Sequence, residues 1–140
     1  MSSDLREMMK DIPNFVGVFA HDQLPNKKLN QHSSFIINLD DSGGTGTHWV
    51  AVYGKHYFDS FGVPPSTRIM NCMRSVFNLK RGQIKYLSHQ IQDYDSNRCG
   101  YYCIHFIKEM SKHDRSFADI IIDDFEIDDM ASNERRLKIK

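Results

Sequence analysis

Apolar positions repeat along this chain with two periods. Leu5, Met8 and Met9 recur at helical spacing, which predicts a short helix over residues 3–10 that ends ahead of Pro13. Two β-branched or aromatic runs bounded by turn residues, 15–19 (FVGVF) and 35–39 (FIINL), read as strands. Residues 48–53 (HWVAVY) and 56–61 (HYFDSF) flank Gly54-Lys55, a pair suited to a two-residue type II′ turn, so they predict a hairpin. Ile69, Met70, Met73, Val76 and Phe77 follow Ser66 at helical spacing, with the serine as a cap. Residues 84–91 alternate weakly and lead into a polar turn over 93–98. Tyr102, Cys103, Phe106, Ile107 and Met110 then mark an amphipathic helix from about Asn97 to Lys112. From Ser116 on, an Ile120–Ile122 run, an acidic block (Asp123, Asp124, Glu126, Asp128, Asp129) and a basic end (Arg135, Arg136, Lys138, Lys140) read as helix packed on the sheet with solvated charges. A peptide or nucleic-acid contact by the basic end stays open.

Composition narrows what such a pattern can be. At 140 residues the chain fits one domain, residues 1–140, and 40% hydrophobic content with nine Phe and six Tyr gives enough apolar surface for a core. Disorder is thereby set aside. Eighteen basic and eighteen acidic side chains cancel, so no global field draws phosphate backbones or anionic lipid, and any DNA contact has to be local. Three cysteines are too few for a disulfide framework at this length, which fits a reducing compartment. Residues 1–11 (MSSDLREMMKD) lack an apolar signal core and no run is long enough to span a bilayer, so a soluble chain without membrane contact is expected.

The hairpin carries the first chemistry. With a two-residue loop at Gly54-Lys55, facing residue numbers sum to 109, so Val50 opposes Asp59 and His48 opposes Phe61. His48 then lies diagonal to Asp59 on one face, about 7–8 Å apart at the α-carbons. A three-residue loop would shift the register and separate them. A carboxylate beside an imidazole fixes its tautomer and supports its charge, half of a nucleophilic triad, although polar pairs on a sheet are common. Cys99 offers the nucleophile, because Ser96-Asn97 are good capping residues and set it in the first turn of the next helix. Backbone donors and the helix dipole there favour a thiolate. Gly100 beside it would leave room for substrate. Cys72 and Cys103 sit inside apolar helical stripes and read as core. Attack on an amide also needs an oxyanion donor, for which Gln92, seven residues ahead of Cys99, is the candidate and Gln90 the weaker substitute.

The order G-T-H-W (46–49), Y-F-D-S-F-G (57–62) and Q-x6-C-G (92–100) resembles the adenovirus-type cysteine proteases, over most of the chain. Residues 15–25 (FVGVFAHDQLP) look like the stretch ahead of the histidine strand in that family and in the related proteases of virophages and Polinton-type elements. The resemblance implies an α+β, papain-like or adenain-like fold, its central mixed or antiparallel sheet packed against helices with the nucleophile at a helix N-terminus. It implies His48 as general base and acid, Asp59 as its partner, Cys99 as nucleophile and Gln92 as oxyanion donor. Trp49 matches the family's His-Trp pair, as a shield of the site, a ring against the imidazolium, or plain core. Asp22 would bind substrate backbone or cap a turn.

The same resemblance implies an endopeptidase that matures viral capsid or core precursor polypeptides near glycine, acting in the virion and the infected cell, as a monomer with no required cofactor. Two departures limit it: the linking cysteine of the adenoviral activator peptide is matched by Arg81, and the carboxylate is Asp where the adenoviral enzyme has Glu. Peptide activation does not carry over, and DNA activation stays open. Clan members that remove ubiquitin-like modifiers commonly place the glutamine six positions before the cysteine, where this chain has Asp93. A non-catalytic binding module on the same scaffold is the non-enzyme alternative. A zinc site at Cys99 and Cys103 lacks a second ligand pair, redox chemistry lacks CxxC, and the glycine run 43–46 lacks a phosphate-loop Lys-Ser/Thr, so it reads as a rim over the cleft.

Overall fold

The structure, a computed structural model, describes residues 2–40, 48–93, 96, 98–126 and 129–137. The glycine run 43–46, Asn97, Asp128, Lys138 and Lys140 lie outside the described residues. Among the described residues ten elements follow in order: α1 (Ser2–Met9), β1 (Phe15–Ala20), β2 (Ser34–Asn38), β3 (Trp49–Tyr53), β4 (His56–Phe58), α2 (Thr67–Val76), β5 (Lys85–Tyr86), α3 (Cys99–Ser111), α4 (Phe117–Asp124) and α5 (Met130–Arg136). The fold is α+β, with one five-stranded sheet in sequential order. It is mixed: β1 runs parallel to β2 and β4 parallel to β5, while β2–β3 and β3–β4 are antiparallel.

The sheet is covered on both faces, which is why β3 is buried at every position. Val50, Val52 and Tyr57 join Phe35, Ile37 and the α2 residues Ile69 and Met73 in one apolar cluster. Trp49, Ala51, Tyr53 and Phe58 join Leu5 and Met9 of α1 and Tyr102, Cys103, Phe106 and Ile107 of α3 in the other. Each large side chain buried this way contributes about 1.5–3 kcal/mol of transfer free energy, so the two stripes that alternate along β3 fix which helix lies on which face. No helix among the described residues is long and apolar enough to cross a membrane.

Local signals set the element ends. The Ser66 side chain caps α2 by accepting the Ile69 N–H at 3.2 Å. Ser116 and Asp119 close a reciprocal capping box at the start of α4. Gly54 has φ +56, as both primed hairpin turns require at that position. Three expectations shift. β4 stops at Phe58, because the Asp59 carboxylate accepts the Phe61 N–H at 2.8 Å and its carbonyl accepts the Gly62 N–H at 2.8 Å, so the chain turns. The weak alternation over 84–91 yields a two-residue strand only. The first residue of α3 is Cys99, and its cap is Arg98, with no side-chain cap bond. Ser96 lies two residues ahead of that cap, where its hydroxyl accepts the Arg98 N–H at 3.3 Å and donates to Glu134.

Gly62 closes the Asp59 turn with φ +75, and a Cβ there would stand 2.6 Å from the His89 carbonyl carbon and 2.8 Å from the Gln90 nitrogen. Gly62→Ala is therefore expected to destabilise the fold by about 1–3 kcal/mol, read as a lower urea midpoint. An unchanged midpoint would show that the 89–90 segment can move away.

Candidate active site

The hairpin register is the one the sequence implies, since Ala51 pairs with Phe58, Val52 with Tyr57 and Tyr53 with His56, each pair summing to 109. One residue ahead of β3, His48 still accepts the Leu39 N–H at 3.0 Å through its carbonyl, so its backbone is held by the sheet. Its Nε2 meets Asp59 Oδ1 at 2.7 Å, with the carboxylate side chain 3% exposed. Phe61 lies against the ring, centroids 4.1 Å apart and planes 4° from parallel. His48 is thus gripped at one nitrogen and on one face.

Cys99 reaches the same place from the other side of the sheet. The thiol is buried, and its Sγ accepts the Trp49 N–H at 3.4 Å, which ties the first residue of α3 to the first residue of β3. Nδ1 of His48 is buried without a hydrogen bond of regular geometry, but Cys99 is close enough to act on the ring electrostatically. Burial by itself disfavours the imidazolium, yet the Asp59 hydrogen bond, the neighbouring Cys99 sulfur and the Asp59 charge outweigh it and His48 is raised to about 9. The ring therefore keeps its proton through neutral pH, held between a carboxylate and a sulfur.

Gln92 is fully buried and fixed from several directions. Its backbone N–H donates to the Ser60 carbonyl at 3.1 Å, and its own carbonyl accepts from Gln90 Nε2 at 2.9 Å. Its side-chain nitrogen donates to the Ser96 carbonyl at 3.0 Å, while Oε1 accepts from the Ser60 hydroxyl. Gln92 is thus bonded to the residue after Asp59 and to the residue three before Cys99. Gln90 secures the Gln92 backbone.

The remaining expectations divide. The Trp49 ring is in the core at 4% exposure, and the ring against His48 is that of Phe61, which the sequence reading missed. Its signal was present, because the 109 sum puts Phe61 opposite His48. Gly100 does not open space for a substrate: its missing Cβ would stand 3.1 Å from Leu5 Cδ2, so the glycine lets α1 pack on α3. Asp22 is exposed just past β1, at the end of the sheet that carries His48 and two strands away from it. Cys103 is wholly buried, which pushes its thiol far up, and Cys72 is raised to about 11 by burial. Both stay outside the chemistry. The acidic block is not all solvated, since Asp124 binds Arg115 at 2.7 Å and His105 at 2.7 Å.

No family model matches the chain, and no curated protein sequence matches it significantly. Solved structures do. The crystal structure of ASFV pS273R protease superposes with a TM-score of 0.62 at 17% identity, over 99% of this chain and 65% of that one. A selenomethionine crystal structure of the same protease matches at 23% identity and a TM-score of 0.49, over 76% of this chain and 44% of that one. The chain thus has the fold of that protease and spans less than two thirds of its length.

Proposed function

We propose that this chain is a cysteine endopeptidase of the adenovirus type, with His48, Asp59, Gln92 and Cys99 as its working residues. The observation that carries the proposal is the His48 ring held by Asp59 at Nε2 with Cys99 next to it. The fold shared with a protease supports it at the level of architecture.

The chemistry follows from what each group can hold. With the proton of the pair already on the His48 ring, the sulfur pair forms a C–S bond to the scissile carbonyl carbon as the carbonyl π pair moves onto oxygen. That oxyanion is met by the Cys99 backbone N–H, at a helix start without a side-chain cap, and by the Gln92 N–H not bonded to Ser96. Collapse breaks the C–N bond, and the His48 proton goes to the leaving amine. Water then attacks the thioester, giving a proton to His48, and the C–S bond breaks to release the acid and leave Cys99 beside the protonated ring.

The substrates proposed are viral capsid or core precursor polypeptides cut near glycine, with DNA tested as a local activator and the virion or infected cell as the setting. A narrow cleft admits glycine while rejecting larger side chains. Incubation with the precursors, with and without DNA, and mass-spectrometric mapping of new termini tests this. New termini beside glycine that vanish after iodoacetamide support it. Cleavage of ubiquitin-like modifiers in place of precursors would shift it to the modifier branch of the clan, and thiol-independent or absent cleavage would overturn it.

A further inference from the structure

Resting on the roles proposed for Gln92 and Cys99, we infer that Ser60 and the C-terminal helix α5 are positioning elements for the oxyanion donor, Ser60 directly and Glu134 through Ser96. A carboxamide can sit in two orientations related by a flip that exchanges its oxygen and nitrogen, and its partners decide between them. The Ser96 carbonyl can only accept, so the Gln92 nitrogen faces it at 3.0 Å. Oε1 is then the end that takes the Ser60 hydroxyl. These two bonds use one N–H and leave the other to point elsewhere.

Ser96 in turn is held from α5. Its hydroxyl donates to Glu134 Oε1, so the carbonyl that orients Gln92 belongs to a residue anchored by that helix. Asn133, next in the helix and fully buried, donates to the Ile91 carbonyl at 2.8 Å and to the Glu126 carbonyl at 2.6 Å, and accepts the Glu126 N–H at 2.6 Å. Two adjacent residues of α5 therefore clamp the chain on both sides of Gln92. The other Glu134 oxygen and the Tyr102 hydroxyl of α3 are each buried without a regular hydrogen bond, and burial followed by Glu134 pushes that hydroxyl upward. Ser60 adds a coupling of its own, since it follows Asp59 directly: one turn aims the carboxylate at His48 and the hydroxyl at Gln92.

The test uses the full chain and the internally quenched, glycine-containing peptide that the wild type cleaves fastest. Ser60→Ala and Glu134→Ala, on opposite sides of Gln92, are each expected to lower kcat about 10- to 100-fold with KM within about twofold, because a misdirected donor is missed mainly in the transition state. Alkylation of Cys99 by iodoacetamide forms no oxyanion and is expected to keep its wild-type rate. Glu134→Gln, which still accepts from the Ser96 hydroxyl, is expected to recover most of kcat. Unchanged kcat in both alanine variants would overturn the inference, as would a parallel fall in alkylation, which marks general loosening of the site. Should wild type and Cys99→Ala cleave equally, the protease reading itself fails, a result separable from every variant outcome above.

Discussion

Cys99→Ala and His48→Ala are each expected to abolish peptide hydrolysis, by at least about 1,000-fold in kcat/KM, because each removes a group that makes or breaks a bond. The two losses should not add, since neither residue acts without the other. Asp59→Ala is expected to lose less, about 10- to 100-fold, because the carboxylate orients and charges the ring without touching the reacting atoms. Asp59 is buried and also accepts the Phe61 N–H, so its truncation should additionally lower stability. Progress curves on one quenched peptide, with urea unfolding in parallel, separate the two effects. Equal and full activity in all three variants would remove the assignment.

The pH profile carries the second large effect. His48 is raised above the ordinary imidazole value of 6.5 to about 9, so its proton is kept through neutrality and lost as pH rises through about 9. The alkaline limb of kcat/KM is expected there. Asp59→Asn keeps an oxygen that can accept from both the ring and the Phe61 N–H but removes the negative charge, so the limb should move down by about one to two units. Stability follows the same sign. A raised folded value stabilises the native state fully below about 6.5, and that contribution, on the order of 3 kcal/mol at most, fades between 6.5 and 9. Melting temperature across that window should fall more steeply in wild type than in His48→Ala. A limb that stays at the same pH in Asp59→Asn would refute the carboxylate's role.

Much of this architecture is legible without coordinates because it is local. The turn at Gly54-Lys55 fixes a register, and a register fixes which side chains share a face, so the nearness of His48 and Asp59 follows from arithmetic along the chain. The apolar stripe after Ser66 is likewise a property of one segment and its cap. Where local signals mislead, a distant partner had outbid them. Ser96 reads as the cap of α3, yet Arg98 takes that place, and the Ser96 hydroxyl, which accepts the Arg98 N–H, is anchored on Glu134 thirty-eight positions later. Gly100 reads as open space until Leu5 fills it.

Sequence alone therefore determined the strands, the two large helices and the pairing of histidine with carboxylate, each governed by residues a few positions apart. Only the folded chain decided that Cys99 meets them. By alternation His48 belongs with Val50 and Val52 on the α2 side of the sheet, while Cys99 packs with Trp49 and Ala51 on the α3 side, so the two can meet only past the last paired residue of β3. That meeting depends on how two helices load opposite faces of one sheet, and on a C-terminal helix closing over the Gln92 segment. The bonds that close the site join residues 38, 42 and 50 positions apart, and no periodicity encodes them.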